Sequence, residues 1–300
     1  MTEAVVGIDV GGTRIKSVLL GADGAVLAED TRPTPSDAAV RLGPAFADIV
    51  NTLEQTADSR AARVGVAVPG IVDEPRQVGV RSANLGWRDL DLQAAFAEHL
   101  AAPFVAGHDV RCGALAEARL GAAQGFADVL FVPLGTGIAA AQLTDGRVQH
   151  GRPWAGEIGH VVVDPDGEPC GCGLRGCLET VASAAAVGRR WSTESGEQGD
   201  AAEVARRVAT GDRTAMTVWH HAIRSLAAVI APVVAANGTQ LVLVGGGLVR
   251  AGDLLLDPLR EAVHARLAPP MRPAVAAASL GDRAGSLGAA LLALEGGVRE

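Results

Sequence analysis

The chain contains no tyrosine, and only four tryptophans and five phenylalanines among its 300 residues. Its core must therefore be built from Ala, Val and Leu. No run of apolar residues is long enough to span a bilayer, which argues against a membrane protein. The start, MTEAVVGIDV, lacks the basic n-region and apolar h-region of a secretory signal, so a cytoplasmic protein is expected. Thiols stay reduced there, and four cysteines do not then read as a disulfide framework. Basic residues are in deficit, 26 against 34 acidic ones. The resulting formal charge of -8 argues against a nucleic-acid binder, because duplex DNA repels such a surface. Blocks of like charge and low-complexity tails are absent as well. What is present, 48% hydrophobic and 20% charged residues, is the composition of an ordinary soluble protein long enough for two core-forming lobes.

One arrangement occurs twice. An apolar run, Val5 to Val10, meets Gly11-Gly12-Thr13. A second run, Ile15 to Leu20, follows, then the turn Asp23-Gly24 and a third strand over Ala25 to Leu27. Val129 to Leu134, Gly135-Thr136-Gly137, Ile138 to Leu143, Asp145-Gly146 and Arg147-Val148 repeat it. Two copies of strand, Gly-Thr turn, strand, Asp-Gly turn and strand imply a duplicated domain. Helices are expected over 38–53, 92–100, 110–120, 181–190, 201–209, 214–236, 253–267 and 285–294, with strands at 64–68, 104–107 and 241–244. The alternation gives an α/β fold with two lobes and a cleft between them. The lobes are expected at residues 1–115 with about 285–300, and at 116–284.

Glycines at these turns let backbone N–H groups approach phosphate oxygens with no Cβ in the way. Asp9 at the strand end and the hydroxyl of Thr13 favour that role over a bare tight turn. No P-loop pattern occurs. Gly245-Gly246-Gly247 follows a buried strand, where ligands gather in α/β sheets, and reads as a wall for an adenosine or as a strand-to-helix turn. Lys16 reads as a phosphate aid or as a solvated side chain. Asp109 stands at a strand-to-helix junction, where a carboxylate is an N-cap or a catalytic base. Cys170, Cys172 and Cys177 lie within eight residues, downstream of Glu157 and His160 and before Glu179. With His160 they supply four ligands, a set suited to structural zinc in a closed tetrahedral shell, whereas a disulfide would strand one thiol. Cys112 has no partner motif and reads as a small core residue.

These residues resemble the ROK family of sugar kinases and sugar-responsive repressors, within the actin-like ATPase superfamily. The resemblance runs over essentially the whole chain, through DVGGTRIK, VAVPGIVD, PLGTGIAAA, GEIGH, CGCGLRGCLE and VGGGLV. The C-x-C-G-x-x-G-C-x-E element behind E-x-G-H is very specific to the family. The resemblance implies a two-lobed, duplicated, ribonuclease H-like fold and an ATP-dependent, Mg²⁺-using hexose kinase of the glucokinase type. It implies Asp109 as general base and Asn84, His108, Glu157, His160 and Glu179 as sugar contacts. Asp9, Gly11, Gly12, Thr13, Lys16, Gly135, Thr136, Gly137 and Gly245 to Gly247 would serve the nucleotide, with Asp9 orienting Mg²⁺ through water. A homodimer or homotetramer is implied too. The repressors carry a helix-turn-helix before the first phosphate strand, and a strand beginning at about Val5 leaves no room for one.

The family usually reads Asn-Asp-x-Asn where this chain has His108-Asp109-Val110-Arg111. The first of those asparagines normally helps bind sugar, so the acceptor is open among glucose, N-acetylmannosamine and N-acetylglucosamine. Arg111 would suit an anionic or differently substituted sugar, or face solvent. Inorganic polyphosphate is an alternative donor, and a catalytically silent sugar sensor is the reading from another class.

Overall fold

The computed structural model describes residues 3–21 and 23–296. In chain order the strands and helices are β1 (Ala4–Val10), β2 (Arg14–Leu20), β3 (Val26–Pro33), α1 (Ala38–Ala57), β4 (Ala61–Val68), β5 (Ile71–Asp73), β6 (Val78–Ser82), β7 (Trp87–Asp91), α2 (Leu92–Phe96), β8 (Phe104–His108) and α3 (Asp109–Leu120). There follow β9 (Val129–Pro133), β10 (Ala141–Thr144), β11 (Arg147–Val148), α4 (Leu178–Ala182), α5 (Ala184–Ser195), α6 (Ala201–Ala209), α7 (Arg213–Asn237), β12 (Leu241–Gly245), α8 (Asp253–His264), β13 (Ala274–Ala277) and α9 (Ala284–Leu294). They form two compact units. One takes the chain up to residue 120, residues 150–155 and the chain from 282 on. The other takes 121–149 and 156–281.

The first unit is built on a sheet of order β3-β2-β1-β4-β8. β1 is central and buried almost throughout, as a strand covered on both faces must be. It runs antiparallel to β2, from Val5 opposite Leu20 to Val10 opposite Ile15, and parallel to β4. One face carries Val6, Ile8 and Val10 against Leu42, Phe46, Ile49 and Leu53 of α1, spaced as one stripe of a helix.

On this sheet α9, whose sequence is AGSLGAALLAL, makes backbone-close contacts that large side chains would forbid. A Cβ at Gly65 would strike the Ala289 carbonyl, and one at Gly288 would strike the Cys112 carbonyl of α3. Close approach of small residues is how a chain poor in aromatics fills this layer. Gly65→Ala is accordingly expected to destabilise the protein by about 1–3 kcal/mol through overpacking. The check is the urea midpoint, which should fall with an unchanged slope.

The open edge of the sheet, β8, is finished by side chains. Gln77 donates from Nε2 to the Ala106 carbonyl at 2.8 Å, and its Oε1 accepts the Ala106 N–H at 2.7 Å. Glu74 Oε1 accepts the His108 N–H at 2.6 Å, and Gln93 reaches the Phe104 carbonyl at 3.4 Å. Every second residue of the strand is thus satisfied without a neighbouring strand. Glu74 and Gln77 belong to the turn between β5 and β6, in a small antiparallel sheet of order β5-β6-β7.

The second unit repeats the plan with the order β11-β10-β9-β12-β13, in which β11-β10-β9 is antiparallel and β9-β12-β13 is parallel. The α/β class and the duplication expected from the sequence are therefore those of the structure. Asp145 and Gly146 both have positive φ, 52° and 70°, the geometry of a two-residue hairpin turn between β10 and β11. Trp191, Trp219, Leu226 and Ile230 fill the core of this unit, and Trp219 donates from Nε1 to the Leu254 carbonyl at 3.0 Å. α7 is long and apolar enough by composition to cross a membrane, but 56% of its most apolar window is buried and it serves as the core helix.

Local differences from the expected elements have local causes. The strand expected over 138–143 pairs only from Ala141. The Ile138 N–H is taken by Glu179 and the Ala140 N–H by the Gly156 carbonyl. The helix expected over 181–190 is two helices, because the Ser183 hydroxyl caps the Ala186 N–H and starts α5 anew.

Candidate functional site

In the first unit the chain leaves β1 through Gly11-Gly12-Thr13. The Gly11 N–H bonds the Arg14 carbonyl at 2.9 Å. Thr34 holds the turn from the side: its hydroxyl donates to the Gly11 carbonyl at 2.6 Å and its N–H to the Thr13 carbonyl at 3.0 Å. A Cβ on Gly12 would lie 3.5 Å from that of Asn84, so this turn and the Asn84 loop are neighbours. Gly285 lets the start of α9 reach the Asp9 carboxyl, since a Cβ there would sit 2.5 Å from Asp9 Cγ. Burial first, then the charges of Asp109 and Asp282, push Asp9 up to about 7 against the opposing effect of Lys16. Lys16 is paired with Asp282 at 3.4 Å.

Asp109 is the first residue of α3. Its Oδ1 accepts the Val110 N–H at 2.7 Å and stands 3.5 Å from His108 Nε2. Burial pushes the carboxyl up to about 6, although the Val110 N–H and the Arg111 charge both pull it down. A third of its side chain, 34%, stays open to solvent, so it can be reached. His108 is buried beside it. Arg111 neither faces solvent nor is free for an anionic sugar. It is 4% exposed, pairs with Glu74 at 3.4 Å and donates to the Ala155 carbonyl at 3.0 Å.

In the second unit two glycine turns meet through Leu134. The Leu134 N–H donates to the Gly245 carbonyl at 2.9 Å, and the Leu248 N–H donates to the Leu134 carbonyl at 3.1 Å. Gly246, at φ 77°, lies against the Leu134 backbone, where any side chain would collide. Beside them opens a cavity of about 630 Å³ lined by Thr136, Ala184, Ala201, Gly247, Leu248 and Arg250 among others. Its walls are mostly apolar, with Thr136, Asp200, Arg206 and Arg250 among them, and its size is that of a small-molecule site. The alanines of α5 and α6 that make one wall carry no motif, and the sequence reading left them out. Glu179 bonds the Ile138 N–H at 3.1 Å and leaves no room for a Cβ on Gly137.

His160, Cys170, Cys172 and Cys177 bring their donor atoms within 4.8 Å of one another. His160 Nδ1 is 3.5 Å from Cys170 Sγ, and Cys172 Sγ is 3.6 Å from Cys177 Sγ. Tetrahedral zinc with ordinary bond lengths separates its ligands by about 3.6–3.8 Å, so the set fits that ion. All four cysteines are free thiols. Burial and the two neighbouring thiols push Cys177 up to about 12, a state that a bound cation would relieve. The other imidazole nitrogen, Nε2, faces Glu157 at 3.7 Å.

The sequence model of the ROK family matches residues 5–296. The chain belongs to the ROK family. The glucokinase of Thermotoga maritima is 33% identical to it over 97% of each chain. The N-acetylmannosamine kinase of Shigella flexneri is 32% identical over 96% of this chain and 98% of that one. Among solved structures, a ROK family glucokinase from Streptomyces griseus in complex with glucose and AMPPNP superposes with a TM-score of 0.82. It is 28% identical and covers 97% of this chain and 99% of that one.

Proposed function

We propose that the protein is an ATP-dependent hexose kinase of the glucokinase type, making a sugar 6-phosphate. The observation that carries the reading is Asp109, an accessible carboxylate at the start of α3 with a proton affinity raised to about 6. Such a group takes a proton from a sugar hydroxyl far better than an ordinary carboxylate does, and is still ionised at neutral pH. The hydroxyl so activated attacks the γ-phosphate in line, and the ADP oxygen leaves. Asn84, His108, Glu157, His160 and Glu179 would contact the sugar. The turns at Gly11-Gly12-Thr13 and Gly135-Thr136-Gly137 would present N–H groups to the phosphates, with Lys16 near the first. The cavity beside Gly245 to Gly247 would take the adenosine. Asp9 is the residue suited to orient Mg²⁺, which when bound neutralises charge on the phosphates. Zinc would hold the loop from His160 to Cys177 and take no part in the chemistry, because four protein ligands leave no open position.

N-acetylmannosamine is the second candidate acceptor, on the likeness to the Shigella flexneri kinase. The test is ADP release over glucose, mannose, N-acetylmannosamine and N-acetylglucosamine, with polyphosphate as a parallel donor. Glucose with MgATP is expected to give the highest kcat/KM. Tight sugar binding with no turnover on any acceptor would leave a sensor and remove the kinase.

A further inference from the structure

Glu74 takes no part in the chemistry above, yet it is 3% exposed and both of its carboxylate oxygens are engaged. Its Oε1 accepts the His108 N–H at 2.6 Å. Its Oε2 lies 3.4 Å from Arg111 Nη1 and hydrogen-bonds Nδ1 of His150. Arg111 in turn donates to the Ala155 carbonyl, so two elements and the segment 150–155 are tied to one carboxylate. Burial alone would raise the proton affinity of Glu74. The His150 bond, the Arg111 charge and the His108 N–H together outweigh it and hold the group below its ordinary value, so it is ionised at neutral pH.

The bonds of Asp109 are local: its carboxylate accepts the N–H of the next residue and stands beside the side chain of the previous one. Its place is therefore inherited from the backbone of residues 108–111. On one side that backbone is held by β4, where Val68 lies opposite His108. On the open side Glu74 takes the His108 N–H before the base and pairs with the Arg111 guanidinium after it. We propose that Glu74 is a positioning residue for phosphoryl transfer, fixing the Asp109 carboxylate through His108 and Arg111. The proposal rests on reading the chain as a sugar kinase with Asp109 as its base. Arg111 stands where the family usually has asparagine, and Glu74 supplies the countercharge that this arginine requires once buried.

The experiment is steady-state kinetics of the full chain with its best hexose and MgATP, below the melting temperature of each variant. Glu74→Ala removes both tethers, and displacement of a base by about 1 Å costs on the order of 100-fold in rate. The kcat of Glu74→Ala is thus expected to fall about 100-fold, with the sugar KM within about threefold of wild type. Glu74→Gln keeps an acceptor for the His108 N–H and is expected to recover about tenfold of that loss. Glu74→Ala leaves Arg111 charged and buried. Should it fail to fold, Glu74→Ala with Arg111→Met leaves no unpaired charge and is expected to show the same fall in kcat. A kcat near wild type in either soluble variant overturns the proposal, as does a loss confined to KM or an equal loss in the Ala and Gln variants. Wild-type protein that phosphorylates no hexose overturns this proposal and the kinase reading together. Wild-type turnover beside an unaffected Glu74 variant overturns this one alone.

Discussion

Asp109→Asn is expected to lower kcat by about 10²–10⁴-fold while leaving sugar affinity within about threefold of wild type. Asparagine keeps the shape and can still accept the Val110 N–H, but it cannot take a proton. The loss therefore falls on the chemical step. In wild type the same group sets the acid limb of the pH profile. With the carboxyl at about 6, kcat should be flat above pH 7 and fall about tenfold per unit well below 6. The variant should lack that limb. Stability moves the other way. A carboxyl whose folded pKa lies above its unfolded value favours the folded protein less as pH rises from about 4 to 6, and the deficit then stays. Asp109→Asn should consequently melt at or above the wild-type temperature at pH 8. A variant with retained turnover removes Asp109 from its role. One that merely unfolds would show the Asn change to be structural.

Purified protein is expected to hold about one zinc ion per chain, and stripping it should lower the thermal midpoint by about 10 °C. The size follows from linkage. An ion present at about a thousandfold over its dissociation constant adds about 4 kcal/mol, and each kcal/mol shifts the midpoint of a chain this large by about 2–4 °C. Apart from the ion, the Cys170–Cys177 loop is held by backbone hydrogen bonds, such as Cys170 N–H to the Leu174 carbonyl and Gly176 N–H to the Glu168 carbonyl, both at 2.8 Å. Leu174 is exposed, while the packing beneath comes from Cys177 and Leu178. Cys177→Ser should lose the metal and reproduce the stripped midpoint. Cys112→Ala should keep one zinc per chain, because Cys112 is buried in α3 and outside the cluster. Elemental analysis with calorimetry reads both. A full midpoint in metal-free protein would show that the loop folds on its own bonds.

What the sequence made legible, and what it hid, divides on physical lines. The doubled pattern of strand, Gly-Thr turn and strand could be read because β1 and β9 are almost wholly buried and hence nearly all apolar, and β2 ends in the buried run Val18-Leu19-Leu20. The sheet β5-β6-β7 escaped notice. Its strands are three to five residues long and carry Arg81, Arg88, Asp89 and Asp91 in no clean alternation. β13 is Ala-Val-Ala-Ala, too short and plain to signal a strand. The four-ligand cluster was visible because its thiols are close in the chain, whereas Glu74 meets His108 across 34 residues and His150 across 76. No local pattern announces a partner at that separation. Arg111 shows the same limit, since an arginine on the first turn of a helix is usually solvated and its distant partners, Glu74 and the Ala155 carbonyl, make this one a core residue.

The side chains that finish β8 have a consequence between molecules. An unpaired strand edge is a template on which another chain can add. Here Gln77, Gln93 and Glu74 occupy the donor and acceptor positions that an incoming strand would need. Any oligomer of this protein must therefore be assembled through a surface other than lengthening of its first sheet at that end. Replacement of Gln77 by an apolar residue should register as concentration-dependent self-association before it registers as a loss of fold.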